Sequence, residues 1–254
     1  MITYAFAALL ASLQSSPRDS LLAEGIRLAP MQPAEALARF EAVLARDSAD
    51  VAANWRAAIA LNDMAQPLRT PADRSRRDSL YARAEQYARR AVRLDSANAR
   101  CLFSLGLVLG NAALTRGVKQ RVRMATEIRG LALKALAADS THDGAHHLLG
   151  RWNYEVLTLS GFERFFAKSF LGGAVFKEAS WAEAERELER AVALDSNRIF
   201  HRLDLARVYV ARKELPEARS QLERIAGLPI RFAADTTYRR EAGELLVNLQ
   251  KGQR

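Results

Sequence analysis

Val43-Leu44-Ala45-Arg46-Asp47-Ser48, Val92-Arg93-Leu94-Asp95-Ser96, Ala135-Leu136-Ala137-Ala138-Asp139-Ser140 and Val192-Ala193-Leu194-Asp195-Ser196 are four copies of one phrase. Each closes an alanine-rich stretch whose apolar residues recur at helical spacing, so the chain reads as an array of one helical unit. Such a unit buries its apolar face only against its neighbours, and the array offers an extended surface for function. Successive Asp-Ser marks are 48, 44 and 56 residues apart, and Pro229 follows Asp195 by 34.

Upstream of each mark, and again before Pro229, lies a pattern of small and apolar residues: Ala36, Phe40, Val43; Ala84, Ala88, Ala91; Ile128, Ala132, Ala135; Ala184, Leu188, Ala191; Ala218, Leu222, Ile225. Downstream the spacing changes to Trp55, Ala57-Ala58, Leu61; Leu102, Leu105-Gly106, Leu109; His146, Leu149-Gly150, Asn153; and Arg202, Leu205-Ala206, Tyr209. These are the second and first helices of the tetratricopeptide pattern, a unit of about 34 residues, with Asp-Ser where that pattern has Pro. Gly106, Gly150 and Ala206 let paired helices approach closely, and the Ser of each mark is expected to cap the following helix. A 34-residue unit leaves surpluses of 14, 10 and 22 residues between the marks, which places inserts near 66–79, 116–125 and 160–180. The expected fold is all-α: a right-handed tetratricopeptide-like solenoid of about five helix-turn-helix units in one domain over 17–254. Ala234 to Gln250 reads as its C-terminal capping helix.

A content of 49% hydrophobic and 26% charged residues is that of a folded chain rather than a disordered one. Of its 38 basic residues only six are Lys, so the net charge of +9 is an arginine excess. Guanidinium groups bind phosphate and carboxylate bidentately, which suits anionic lipid headgroups, acidic protein tails or nucleic acid. Solvated arginines on helix faces account for the same excess without a partner. The single cysteine, Cys101, excludes an intramolecular disulfide and a thiolate metal site. Met1 to Ser16 stands apart: Ile2 to Leu13 is apolar except for Thr3 and Ser12, and Gln14-Ser15-Ser16-Pro17 follows. This resembles the apolar region of a secretory signal without its basic start, and it is too short to span a bilayer. A helix packed on the first unit is the other reading. The leader thus points to export.

The fourth unit is the most distinctive. It runs Ala145-His146-His147-Leu148-Leu149-Gly150-Arg151-Trp152-Asn153-Tyr154-Glu155-Val156, then Leu159-Ser160-Gly161-Phe162-Glu163-Arg164 and Phe170-Leu171-Gly172. Over about Ala145 to Asp195 this resembles the regulator of microtubule dynamics family, which shares an LGRW-x-YEV run, a following FER-like helix and an F-G turn. The resemblance implies a tetratricopeptide-like domain that binds rather than catalyses, and a cytoplasmic setting that competes with export. It brings microtubules as a partner on family grounds alone. It also brings phospholipid, since one branch of the family tethers endoplasmic reticulum to mitochondria and transfers lipid.

The first helices of such an array line an inner groove, which places Leu21; Trp55, Ile59; Phe103, Leu107, Asn111; His147, Arg151, Tyr154; and Leu203, Arg207 on it. The apolar and aromatic members beside Arg151 and Arg207 fit an acyl chain with its phosphate, or an extended peptide. The competing reading buries Trp55 and Phe103 between units and pairs Arg151 with Glu155 along the helix. In the third insert Phe162, Phe165, Phe166 and Phe170 share a helical face, with Phe176 beyond them and Arg164, Lys168 and Lys177 interleaved. That segment fits a lid, a peripheral membrane contact or extra core. The basic residues of the other inserts, Arg69, Arg74, Arg76, Arg77 and Arg116, Lys119, Arg121, Arg123, read as solvated loops or helix ends first and contacts for acidic partners second.

No cofactor, metal or catalysis is implied. His142 and His146 stand four apart, as do Asp143 and His147, but they complete no ligand set, and the chain holds no HExxH run, phosphate loop or nucleophile elbow. Nucleic acid has only the charge in its favour. The sequence therefore describes a noncatalytic binding or scaffold protein holding a protein partner or lipid in its groove, with a lipid-transfer carrier as the alternative.

Overall fold

The computed structural model describes residues 16–160 and 177–251. The apolar leader and Phe162, Phe165, Phe166 and Phe170 lie outside the described residues. Five helical hairpins follow one another: α1 (Pro17–Leu28) with α2 (Pro33–Leu44), α3 (Val51–Ala65) with α4 (Arg74–Leu94), α5 (Ala99–Ala113) with α6 (Val118–Ala138), α7 (Asp143–Leu157) with α8 (Trp181–Leu194), and α9 (Ile199–Arg212) with α10 (Leu215–Ala226). A last helix, α11 (Asp235–Lys251), packs on α9 and α10. This is the tetratricopeptide-like solenoid with a terminal helix that the repeat implies.

The Asp of each later mark stops its helix by leaving helical backbone angles: Asp95, Asp139 and Asp195 have φ of −146°, −148° and −135°. Their side chains hold the turn that follows. Asp47, Asp139 and Asp195 each accept the backbone N–H two residues on, at 2.9, 2.9 and 3.2 Å. The capping expected of the Ser is supplied further along the chain instead, where Asp50, Asn98 and His142 accept from Ala53, Arg100 and Ala145 at 2.8, 3.1 and 3.2 Å. The Asp-centred turn takes up more chain before it re-enters a helix, so the Ser lies inside the turn.

The second surplus segment is mostly extra helix, and the first is partly so. α4 and α6 have 21 residues each, against 12 to 15 in the other hairpin helices, and they absorb residues 74–79 and 118–125 as added N-terminal turns. In the last hairpin the chain turns in two residues, through Lys213 at φ 66°.

Alanine faces let the hairpins stack tightly, with Ala53, Ala57, Ala58, Ala84, Ala88, Ala132, Ala135 and Ala145 fully buried in one core cluster. Gly150 is where two helices meet most closely: a Cβ there would lie 2.6 Å from Leu188 Cγ, 3.0 Å from the Ala184 carbonyl oxygen and 3.1 Å from the Leu188 nitrogen. Because backbone cannot move aside, Gly150→Ala is expected to destabilise the fold by about 1–3 kcal/mol in urea unfolding. Gly106→Ala meets chiefly the mobile end of Leu148, at 2.5 Å. There the rotamer shift is offset by a helix-propensity gain of about 1 kcal/mol, and the variant is expected near wild type. Equal losses at both sites would contradict this packing.

Candidate ligand cavity

The solenoid curls far enough for its end to meet its beginning. The Ala233 N–H donates to the Pro30 carbonyl in the first hairpin at 2.8 Å, the Tyr238 hydroxyl donates to Gln66 Oε1 after α3, and Arg69 pairs with Glu241 at 2.5 Å. α11 thereby lies opposite α3, so that two pockets fall between it and α3, α5, α7 and α9, while a third lies beside them among α5, α6 and α7. The three adjacent pockets, of about 90, 330 and 280 Å³, share wall residues: Leu107 and His147; Gln66, Phe200 and Tyr238; Asn111, Leu114 and Arg151. Adjacent and sharing walls, they make up a chamber of three chemically different parts.

The first part is apolar, walled by Leu107, Ile128, Leu148, Trp152 and Val156. The second is cationic: Arg69, Arg77, Arg151 and Arg207 face Tyr81, Asn111 and Tyr238, with Glu241 as its carboxylate. Glu241 is shared between Arg69 and Arg207, at 2.5 and 2.7 Å. Arg151 has only loose ion pairs, 3.6 Å to Glu155 and 3.8 Å to Asp204, and lies over the Phe200 ring at 5.2 Å. The third part holds the aromatic rings of Phe103, Phe200, Phe232 and Tyr238 together with Asp63, His147 and His201. Phe200 and Tyr238 stack at 4.6 Å.

Buried hydrogen bonds hold this lining in place. His147 is 4% exposed and bonds Asp204 Oδ2 through Nε2 at 2.9 Å. Burial pushes its pKa down to about 4 against the pull of Asp204, so at neutral pH the imidazole is uncharged and donates. Burial alone would raise the Asp204 carboxyl, but Arg151, the His147 hydrogen bond and Arg207 outweigh it and hold it well below the usual range. Asn111 donates to Asn62 Oδ1 at 2.9 Å, joining α5 to α3. Asp63 differs from the other carboxylates. It makes no ion pair among the described residues, accepts only from Asn62 at 3.1 Å, and is pushed up to about 6 by burial.

Of the groove residues read from the sequence, Phe103, Leu107, Asn111, His147, Arg151 and Arg207 line the chamber. Arg151 also lies 3.6 Å from Glu155 along the helix. Trp55 lies outside it, between the guanidinium groups of Arg56 and Arg100 at 3.9 and 5.8 Å, and Ile59 lines none of the three parts. Tyr154 packs edge-on against Trp181 at 6.2 Å. Leu203 is fully buried in the core and gives the groove no surface, because α9 turns Phe200, Asp204 and Arg207 inward instead, at spacings of four and three. Phe200 and Asp204 were open to the same face reading. Tyr238 and Glu241 were not, since each meets a partner 172 residues away. His142 and His146 are engaged structurally, His142 capping α7 and His146 contacting Glu187 at 2.7 Å.

Comparison with known proteins agrees with the fourth-unit motif. The family described as Regulator of microtubule dynamics protein 1-3 matches residues 27–250. This chain belongs to that family. Regulator of microtubule dynamics protein 3 of Bos taurus is 28% identical over 199 residues, covering 77% of this chain and 41% of the relative. Protein 1 of the same species is 25% identical over 202 residues, covering 79% and 62%. The chain thus spans only part of either relative. Among solved structures, TTC0263, a thermophilic TPR protein of Thermus thermophilus, superposes with a TM-score of 0.62 at 16% identity, over 91% of this chain and 99% of that one. A monomeric IFIT1 mutant with Gppp-AAAA gives 0.50 at 17%, over 89% and 54%. At these identities the likeness is one of fold.

The run that marks the regulator of microtubule dynamics resemblance is structurally explicit in this chain. Gly150 admits α8, Arg151 enters the chamber, Trp152 Nε1 donates to the Ala125 carbonyl at 2.7 Å, and Val156 lines the apolar part.

Asp63 gives a sign-defined pH effect. Below about pH 4 its carboxyl is protonated folded or unfolded; above about pH 6 it is ionised in both states, and burying the charge costs stability. Asp63→Asn is therefore expected to stabilise the protein by about 1–3 kcal/mol at pH 7, the gain vanishing near pH 4, in urea unfolding across pH. A gain independent of pH would place Asp63 in a different environment.

Proposed function

We propose that this protein is a noncatalytic carrier whose chamber holds an amphiphile with an anionic headgroup, such as a phospholipid. The observation that carries the reading is the junction at Asn111, Leu114 and Arg151, where an apolar pocket and a cluster of four guanidiniums share one wall. Acyl chains suit Leu107, Ile128, Leu148, Trp152 and Val156, while phosphate suits Arg151, whose own ion pairs are loose. The crossing of α11 supports a compact ligand over an extended peptide, because a peptide laid along the first helices would meet Tyr238 and Glu241. The names of the relatives speak of microtubule dynamics. That activity comes to this chain only by kinship, and the chamber lining adds no argument for it.

Titration of the full chain with short-chain phosphatidic acid below its micelle concentration tests the proposal. Saturable binding is expected, with diacylglycerol of the same chain length much weaker. Arg151→Ala is expected to weaken phosphatidic acid about 10–100-fold, the range of a charge-assisted hydrogen bond. Gly110→Leu fills the apolar part, where a Cβ meets only Leu148 at 3.7 Å, and is expected to abolish binding while the melting temperature holds. Binding indifferent to both variants, or no binding, would overturn the proposal.

A further inference from the structure

The chain turns from first to second helix at 66–73 in the second unit and at 114–117 in the third. Neighbouring first helices pack on one another, so these turns come out on one edge of the solenoid. Contacts from the third-unit turn to the start of α4 agree with this: Thr115 Oγ1 donates to Asp78 at 3.5 Å and Arg116 pairs with Asp78 at 4.0 Å.

This edge carries a disproportionate share of the positive charge. Residues 66–79 and 116–125 hold eight basic side chains against Asp73 and Asp78, whereas the turns on the opposite edge, at 45–50, 95–98, 139–142, 195–198 and 227–234, hold Asp47, Asp50, Asp95, Asp139 and Asp195 against Arg46, Arg198 and Arg231. Arg74, Arg76, Lys119 and Arg123 are exposed and have no ion-pair partner among the described residues. Part of their placement works against the fold. α1, α2, α7, α8, α10 and α11 carry Asp or Glu in the first turn, where the helix dipole favours it; α6 carries Lys119 and Arg121 there and lacks a side-chain cap, while the 3-10 turn Pro71–Asp73 that leads into α4 supplies Asp73 before Arg74, Arg76 and Arg77. Helix stability gives no reason for the cations at the start of α6.

We infer that this edge docks on an anionic lipid bilayer. Leu114, 43% exposed, stands among the cations and offers an apolar contact at headgroup depth. The edge is continuous with the chamber mouth, since Arg69, Arg77, Leu114 and Thr115 belong to both. A flat anionic surface meets both turns at once, and polybasic clusters bind such surfaces additively, at about fivefold per cation. Neither basic segment contains Phe, Tyr or Trp, so the stacking platform that single-stranded nucleic acid uses is missing. The inference stands whether or not the chamber holds lipid.

Flotation of the full chain with vesicles tests it. Wild type is expected to float with phosphatidylcholine–phosphatidylglycerol vesicles, not with phosphatidylcholine alone, and to be released by salt. Arg74→Glu, Arg76→Glu, Lys119→Glu and Arg123→Glu combined should weaken binding by at least about a hundredfold at unchanged melting temperature. A charge-matched control elsewhere, Arg46→Glu, Arg93→Glu, Lys134→Glu and Arg224→Glu, should retain most of it. Equal loss in both variants would mean net charge alone, and overturns the inference. So does wild type that fails to float, or that binds polyglutamate or RNA through this edge but no vesicle. The chamber is tested separately by Arg151→Ala, which should float as wild type does.

Discussion

A single hairpin of this protein has no core of its own. Its apolar face is mostly alanine, with a larger residue such as Phe40, Leu61, Leu109 or Leu188 at intervals, and such a face buries enough surface only when the next hairpin lies very close. Close approach requires small residues where helices touch, which is why Gly150 meets the backbone of α8 and Gly25 lies against the Phe40 ring. The solenoid follows from that constraint. Stacked hairpins offset by a constant rotation must curve, and here the curve brings α11 back to α3.

Curvature makes the chamber, and the chamber sets the electrostatics. Where α3, α5, α7, α9 and α11 converge, the walls carry Asn62, Asn111, His147, Arg151 and Arg207, with Asp204 bonded behind His147. Charges in such a place are costly unless paired, and most are: Asp204 with His147 and Arg207, Glu241 with Arg69 and Arg207. The exceptions are informative. Among the described residues Asp63 has no ion pair, and Arg151 has only carboxylates at 3.6 and 3.8 Å, so adjacent parts of the chamber hold an unpaired carboxylate and a loosely held guanidinium.

The two edges of the solenoid do different work. On one, the Asp-centred turns repeat with nearly the same backbone angles, and their aspartates are consumed in holding the chain direction. On the other, α4 and α6 are lengthened at their N-terminal ends, and the added turns are cationic. Charge thus follows the alternation of the two kinds of turn, and the molecule has a polarity that its net charge of +9 does not reveal.

The repeat was legible because its cause is local: alanine faces at helical spacing and an Asp that ends each helix can be read within a few residues. The motif around Arg151 was legible too, and six of the ten groove residues on the first helices do line the chamber. What the sequence by itself determined, then, is the helical unit, its number of copies and the inward face of most first helices. Tertiary structure alone decided that α11 covers part of the groove, that Tyr238 and Glu241 stand in its wall, and that Leu203 turns to the core while Phe200 and Arg207 line the chamber. The reason is physical. Helical periodicity fixes the angle between residues on one helix, but the rotation of each helix against its neighbours, and the closure of the whole curve, are settled by contacts such as those between residues 172 positions apart.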